Sequence, residues 1–208
     1  MRKILIAMAA VSGVFGFIGP AATAQTTMPA VTAEDHVLGK PDAPVAIIEY
    51  ASLTCPHCAA FEKESLPKLK ADWIDTGKAK LVFRDFPLDR LALAASLIAT
   101  CAPPDHYFSF IETFFGTQEN WARAANPTDA LKGIARLGGM NGSAVDICLA
   151  NKTLQDKIVQ TELAAKNEYG VDSTPTFFIL GVGGDNKLVG DQPYDDFTKA
   201  LLAASPKS

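Results

Sequence analysis

The 208-residue sequence predicts an α/β protein in which a β-α-β unit and a β-β-α unit flank an all-helical block. Three observations carry this reading. Val45 to Tyr50 and Lys80 to Arg84 are short apolar runs of strand character on either side of a helical pattern. From Leu88 to Ala165 the patterning is helical throughout, rich in alanine, leucine and aromatic residues. After Gly170 two strand-like runs face each other across a Gly/Asp/Asn turn, and a last helical stretch follows.

In chain order, Met1-Arg2-Lys3 precedes an uncharged apolar run from Ile4 to Ile18 and then Ala22-Thr23-Ala24. A basic start, an apolar stretch and an A-x-A end are the parts of a secretory signal peptide, here residues 1–24 with cleavage after Ala24. The alternative is an uncleaved N-terminal anchor. The apolar run, of about 15 residues and interrupted by Gly13 and Gly16, is shorter than the ~20 a spanning helix needs. Of 19 basic residues, Arg2 and Lys3 leave with the signal, so 17 against 23 acidic ones give a net charge of −6. That balance, with no basic cluster, lacks the electrostatic footprint of nucleic-acid binding.

Residues 25–42 hold Thr26, Thr27, Pro29, Gly39 and Pro41 with little periodicity and read as an extended linker. His36 within it reads as a solvated loop histidine. Val45 to Tyr50 is β-branched and aromatic enough for a strand buried on both faces. The helix that Thr54-Cys55-Pro56-His57-Cys58 opens is kinked or restarted at Pro67, whose ring does not fit an undisturbed helical interior. Lys80 to Arg84 follows as a second, parallel strand.

In the helical block, Leu88 to Cys101 is one helix, ended by Pro103-Pro104-Asp105. His106 is then a surface residue at the start of an aromatic helix carrying Tyr107, Phe108, Ile111, Phe114 and Phe115, which reads as core. Asn126-Pro127 starts the next helix and Gly138-Gly139 closes it. Ser143, with Asp146 three residues on, resembles a capping box for the helix bearing Cys148. Thr176 to Leu180 and Lys187 to Val189 form a hairpin, and Tyr194 to Ala204 is the closing helix. The organisation is thus 43–102 and 166–208 as two parts of one α/β unit, with 103–165 as a helical insertion.

The four cysteines divide into a close pair, Cys55 and Cys58, and a distant pair, Cys101 and Cys148. Two cysteines spaced by two residues at a helix start place the first where backbone N–H groups lack partners and the helix dipole is positive. A thiolate is stabilised there. Pro56 suits the first helical turn, and His57 can add a positive charge or a donor. Cys55 is therefore the attacking sulfur and Cys58, one turn deeper, the resolving one. Zinc would want a second close pair of ligands, and haem attachment a histidine at position 59, where Ala59 stands. For Cys101 and Cys148, an even count in an exported chain favours a structural bridge. Two free buried thiols or a second redox centre are the alternatives.

Cys55-Pro56-His57-Cys58, Glu49 before it and Ser173-Thr174-Pro175-Thr176-Phe177 far downstream resemble the DsbA family of exported thiol–disulfide interchange proteins. The resemblance runs from about Pro44 to the end of the chain. It implies a thioredoxin-like fold with an inserted helical domain and a disulfide oxidase of the periplasm that needs no cofactor or metal. It further implies a cis Thr174–Pro175 bond facing the cysteines, substrate hydrogen bonds from the Thr174 backbone, and Glu49 as a buried acid moving the proton of Cys58. Otherwise Glu49 is a solvated edge-strand residue; Lys80 is its candidate charge partner. The implied partners are reduced, partly unfolded exported proteins and a DsbB-type membrane protein that reoxidises a monomeric enzyme. Thr174 departs from the valine common in the family and occurs in isomerase-type relatives. An isomerase or reductase is thus one alternative, although such relatives dimerise through an N-terminal domain for which residues 25–42 are too few. A redox-inert chaperone-like binding module is the other; the intact cysteine pair speaks against it.

Overall fold

In the computed structural model the described residues are 27–207, so the predicted signal segment and its cleavage point lie outside them. Strand β2 (Val45–Ala51) is the centre of a five-stranded sheet, and every one of its residues is buried. It runs parallel to β3 (Ala79–Asp85) and antiparallel to β4 (Thr176–Leu180), whose hairpin partner is β5 (Asn186–Val189). Alternation along β2 explains its composition. Val45 and Ile47 meet Phe61, Leu81, Phe177 and Phe197 on one face, while Ile48 and Tyr50 meet Val82, Phe86 and Phe178 on the other. Burying each such side chain stabilises the fold by about 1.5–3 kcal/mol.

The stretch read as a linker contains a fifth strand, β1 (His36–Leu38), paired antiparallel with β3 at the sheet edge. Arg84 holds this segment in place. Its guanidinium donates to both Asp35 carboxylate oxygens at 2.9 and 2.8 Å, to the Ala30 carbonyl at 2.6 Å and to the Tyr50 hydroxyl at 2.8 Å. His36 is accordingly not a solvated loop residue: it is half-buried, its ring stacked on Tyr107 at 3.6 Å.

Helix α1 (Pro56–Glu64) stops at Ser65; Pro67 then sits in the first turn of a short α2 (Leu66–Leu69), followed by one π-helical turn over Lys70–Ile74. The helical block consists of α3 (Arg90–Cys101), α4 (Tyr107–Gly116), α5 (Gln118–Ala122), α6 (Pro127–Leu137), α7 (Gly142–Leu149) and α8 (Lys152–Tyr169). The aromatic residues of α4 are core, with Tyr107, Phe114 and Phe115 buried beside Phe83 of the sheet. Asn126 caps α6 as its sequence indicates. The cap of α7 is Asn141, which accepts from the Ala144 N–H at 2.8 Å, while Asp146 pairs with Lys132 instead of closing a box with Ser143. Gly170 ends α8 at φ 60°, a left-handed conformation that glycine adopts at little cost. Helix α9 (Tyr194–Ala204) covers the sheet with Phe197 and Leu201.

Candidate active site

Cys55 is the N-cap of α1, with extended backbone at φ −80° and ψ 121°. Its sulfur thus occupies the place where a serine or aspartate oxygen usually meets the free N–H groups of a first turn. The loop leading to it is held from three sides. The Thr54 hydroxyl donates to Asp89 at 2.7 Å, and Asp89 also caps α3 through the Ala92 N–H. The Leu88 N–H donates to the Ser52 hydroxyl at 3.2 Å. Buried Gln118, from α5, donates to the Leu53 and Cys55 carbonyls at 2.9 and 3.0 Å. No sequence motif marks Gln118; only the fold brings its side chain to the loop.

Across the site the Thr174–Pro175 peptide is cis, and the Cys55 thiol donates to the Thr174 carbonyl at 3.3 Å. The downstream motif thus meets the cysteine pair as the resemblance implies. Its neighbour Thr176 steadies the turn by donating to the Ser173 carbonyl at 2.7 Å.

Both cysteines are free thiols, and their environments drive them apart. The Cys55 pKa is lowered to about 5, first by the hydrogen bond from the Cys58 thiol and further by the Thr174 hydroxyl and the backbone N–H groups of Cys58 and His57; burial opposes them. Burial pushes the Cys58 thiol far up, and its bond to Cys55 and the charge of Glu49 add to this. Cys55 is itself nearly buried, at 4% exposure, and Cys58 is fully so. Pro56 and His57 are exposed. His57 contributes to the lowered Cys55 pKa through its main-chain N–H.

Glu49 is fully buried, not a solvated edge residue. Burial, then the charges of Glu62 and Cys55, raise its pKa well above the carboxylate range. Neither carboxylate oxygen has a protein partner among the described residues. Lys80 is not that partner, because it donates to the Pro41 carbonyl and lies in register with Ala46. Glu62 is a second acid that the sequence reading missed. It stands four residues after Cys58, hence on the same helix face, and burial followed by the charge of Glu112 raises it to about 7.

Cys101 and Cys148 are joined, with Cα atoms 6.2 Å apart, in a separate apolar cluster with Leu97 and Ile158. The bond ties the end of α3 to α7. Among the described residues no cluster of His, Cys, Asp and Glu is arranged to hold a metal ion, and no helix is long and apolar enough to cross a membrane.

A low-pKa thiol at a helix N-cap, a shielded second thiol beneath it and a cis-proline facing the pair define a thioredoxin-class redox centre, and the chain belongs to the thioredoxin family, whose model matches residues 31–202. Within that family the similarity is to DsbA proteins. Wolbachia pipientis alpha-DsbA1 is 34% identical, with a TM-score of 0.76 over 84% of this chain and 92% of that one. A protein-disulfide isomerase from Novosphingobium aromaticivorans is 30% identical, with a TM-score of 0.69 over 81% of this chain and 96% of that one. A Rickettsia prowazekii protein named as a protein-disulfide oxidoreductase is 33% identical over 81% of this chain. The present chain spans 64% of that relative's length.

Proposed function

We propose that this protein is a thiol–disulfide oxidoreductase that donates the Cys55–Cys58 disulfide to reduced, partly unfolded exported proteins. The observation that carries the reading is the opposite displacement of the two thiols, Cys55 down to about 5 and Cys58 up. In a disulfide the sulfur with the lower thiol pKa is the better leaving group, and stabilising the reduced form makes the couple oxidising. A substrate thiolate attacks Cys55, the Cys55–Cys58 bond breaks, and Cys58 leaves and takes a proton from Glu49. The second substrate thiolate then attacks the substrate sulfur of the mixed disulfide and expels Cys55 as its stabilised thiolate. The substrate loses two electrons and the enzyme gains them, so no cofactor enters. The Thr174 backbone beside Cys55 offers an extended substrate its hydrogen bonds.

In this reading the protein acts as a monomer in the periplasm after cleavage at Ala24, and a DsbB-type membrane partner reoxidises it. Cys101–Cys148 is a structural staple. Residues 43–102 and 166–208 form the thioredoxin-like part around the 103–165 insertion. The test is the reduction potential of the Cys55/Cys58 couple against glutathione. An oxidase lies well above the roughly −180 to −270 mV range of isomerases and thioredoxins. A value inside that range moves the isomerase or reductase reading ahead. Thr174 and the Novosphingobium protein-disulfide isomerase relative keep that second reading in view.

A further inference from the structure

Cys58 and Glu49 are sealed from solvent, and during exchange a substrate covers the Cys55 mouth. The proton that Cys58 takes from Glu49 must nevertheless be replaced. The face of the sheet that carries Glu49 offers a path away from the mouth. His36, Phe83 and Glu49 lie in one register row across β1, β3 and β2, so their side chains share a face. Asp85, two residues beyond Phe83, shares that face too. Tyr107, the first residue of α4, lies over the row, stacked on His36 at 3.6 Å and edge-on to Phe83 at 6.3 Å.

The Tyr107 hydroxyl and one Asp85 oxygen are buried without a protein partner among the described residues, as are both oxygens of Glu49. The Tyr107 ring packs against Phe83, whose neighbours on that face are Glu49 in register on β2 and Asp85 two residues along β3. Tyr107 and Asp85, but not Glu49, also line a cleft of about 330 Å³ beside α8, together with His36 and Arg84. Leaving such groups dry is unfavourable, and proteins satisfy them with internal water. Polar groups spaced between a buried acid and a solvent cleft, and hydrated, conduct protons.

We infer that Tyr107 and Asp85 form a rear proton outlet that connects Glu49 to the cleft beside α8. They are positioning residues acting through Glu49, and the inference rests on the oxidoreductase reading above. When Cys58 leaves as a thiolate, Glu49 gives up its proton. The Tyr107 hydroxyl passes one to Glu49 and takes one from water at Asp85. One solvent proton enters per disulfide donated, and it returns by the same route on reoxidation.

The experiment is single-turnover reaction of the oxidised protein with a dithiol peptide, in H2O and D2O, for the wild type, Tyr107→Phe and Asp85→Asn. The Tyr107→Phe variant keeps the ring and removes only the hydroxyl. Its rate should fall about tenfold, short of the ~100-fold typical of losing a general acid, because Glu49 remains. The slowing should be larger in D2O and be relieved by imidazole buffer. The equilibrium constant against glutathione should stay within about twofold, since a relay changes rates and not end states. Asp85→Asn should move the rate the same way by a smaller factor. Unchanged rates and isotope ratios in both variants would overturn the outlet and leave the oxidoreductase reading standing. A slowing matched by a lower urea midpoint or a shifted equilibrium constant would make Tyr107 merely structural and also overturn it. Absence of exchange in the wild type would instead strike the oxidoreductase reading first.

Discussion

Cys55–Cys58 and Cys101–Cys148 use the same atoms for opposite ends. The first pair sits at the start of α1 with its sulfurs in unlike surroundings, one facing N–H donors and a hydroxyl, the other buried over an acid. The second joins two helices inside an apolar cluster and spans 47 residues of chain. A short ring adds little to a fold but leaves a sulfur free to exchange. A long loop adds much and has no thiolate to favour. On the proposed reading, location decides whether a pair of cysteines is a reagent or a staple.

The sharpest way to break this comparison is to remove one sulfur at a time. Cys55→Ser should abolish exchange, whereas Cys58→Ser should still be captured by substrates and accumulate mixed disulfides on a non-reducing gel. Adducts trapped by Cys55→Ser instead would reverse the two roles. Next in size is the distant pair. Replacing Cys101 and Cys148 together by alanine should cost about 4 kcal/mol by the loop-entropy argument while exchange at Cys55 continues. A urea melt of the double variant reads the first quantity and a dithiol-peptide assay the second. Lost exchange at retained stability would make the bridge a redox partner.

A smaller effect tests the close pair through stability. A Cys55 pKa lowered to about 5 favours the reduced fold. This stabilisation is complete above the unfolded pKa of ~8.5 and is lost as pH falls through the folded value. At pH 7 it is at most about 3 kcal/mol, because solvent at the mouth screens part of it. Against it, closing the four-residue ring stabilises the oxidised form by about 2 kcal/mol. The reduced protein should therefore be the more stable by about 1 kcal/mol at pH 7, by more at pH 8, and the less stable at pH 5. Matched melts with Cys101–Cys148 intact would show the inversion; the oxidised form prevailing at pH 8 would remove the case for a strongly oxidising pair. The smallest change should come from His57→Ala. The backbone N–H remains, so the Cys55 pKa should rise by about one unit or less, read from thiolate absorbance. A larger rise would return the main role to the imidazole.

Strongly patterned stretches were legible in the sequence. β2 and α9 lie where their residues indicate, and the Cys55-Pro56-His57-Cys58 motif led directly to the site. β1 was not legible, because three residues carry no usable alternation and their order comes from Arg84 and β3. Asn141 and Ser143 are both good caps, and the choice depends on where the preceding turn ends. Glu62 could have been found by looking one turn past Cys58. Gln118 could not, because its acceptors lie more than 60 residues earlier in the chain.

Those two hydrogen bonds mean that the Cys-Pro-His-Cys motif is not a portable cassette. The carbonyls of Leu53 and Cys55 accept from a side chain of α5, so the loop's shape is specified jointly by the sheet and the helical block. A trimmed version retaining only the sheet and its own helices would keep all four motif residues and lose the clamp that aims them. Designers wishing to transplant this chemistry would have to carry α5 along or supply another donor for the Leu53 carbonyl, since the Cys55 carbonyl also accepts from the Ala59 N–H.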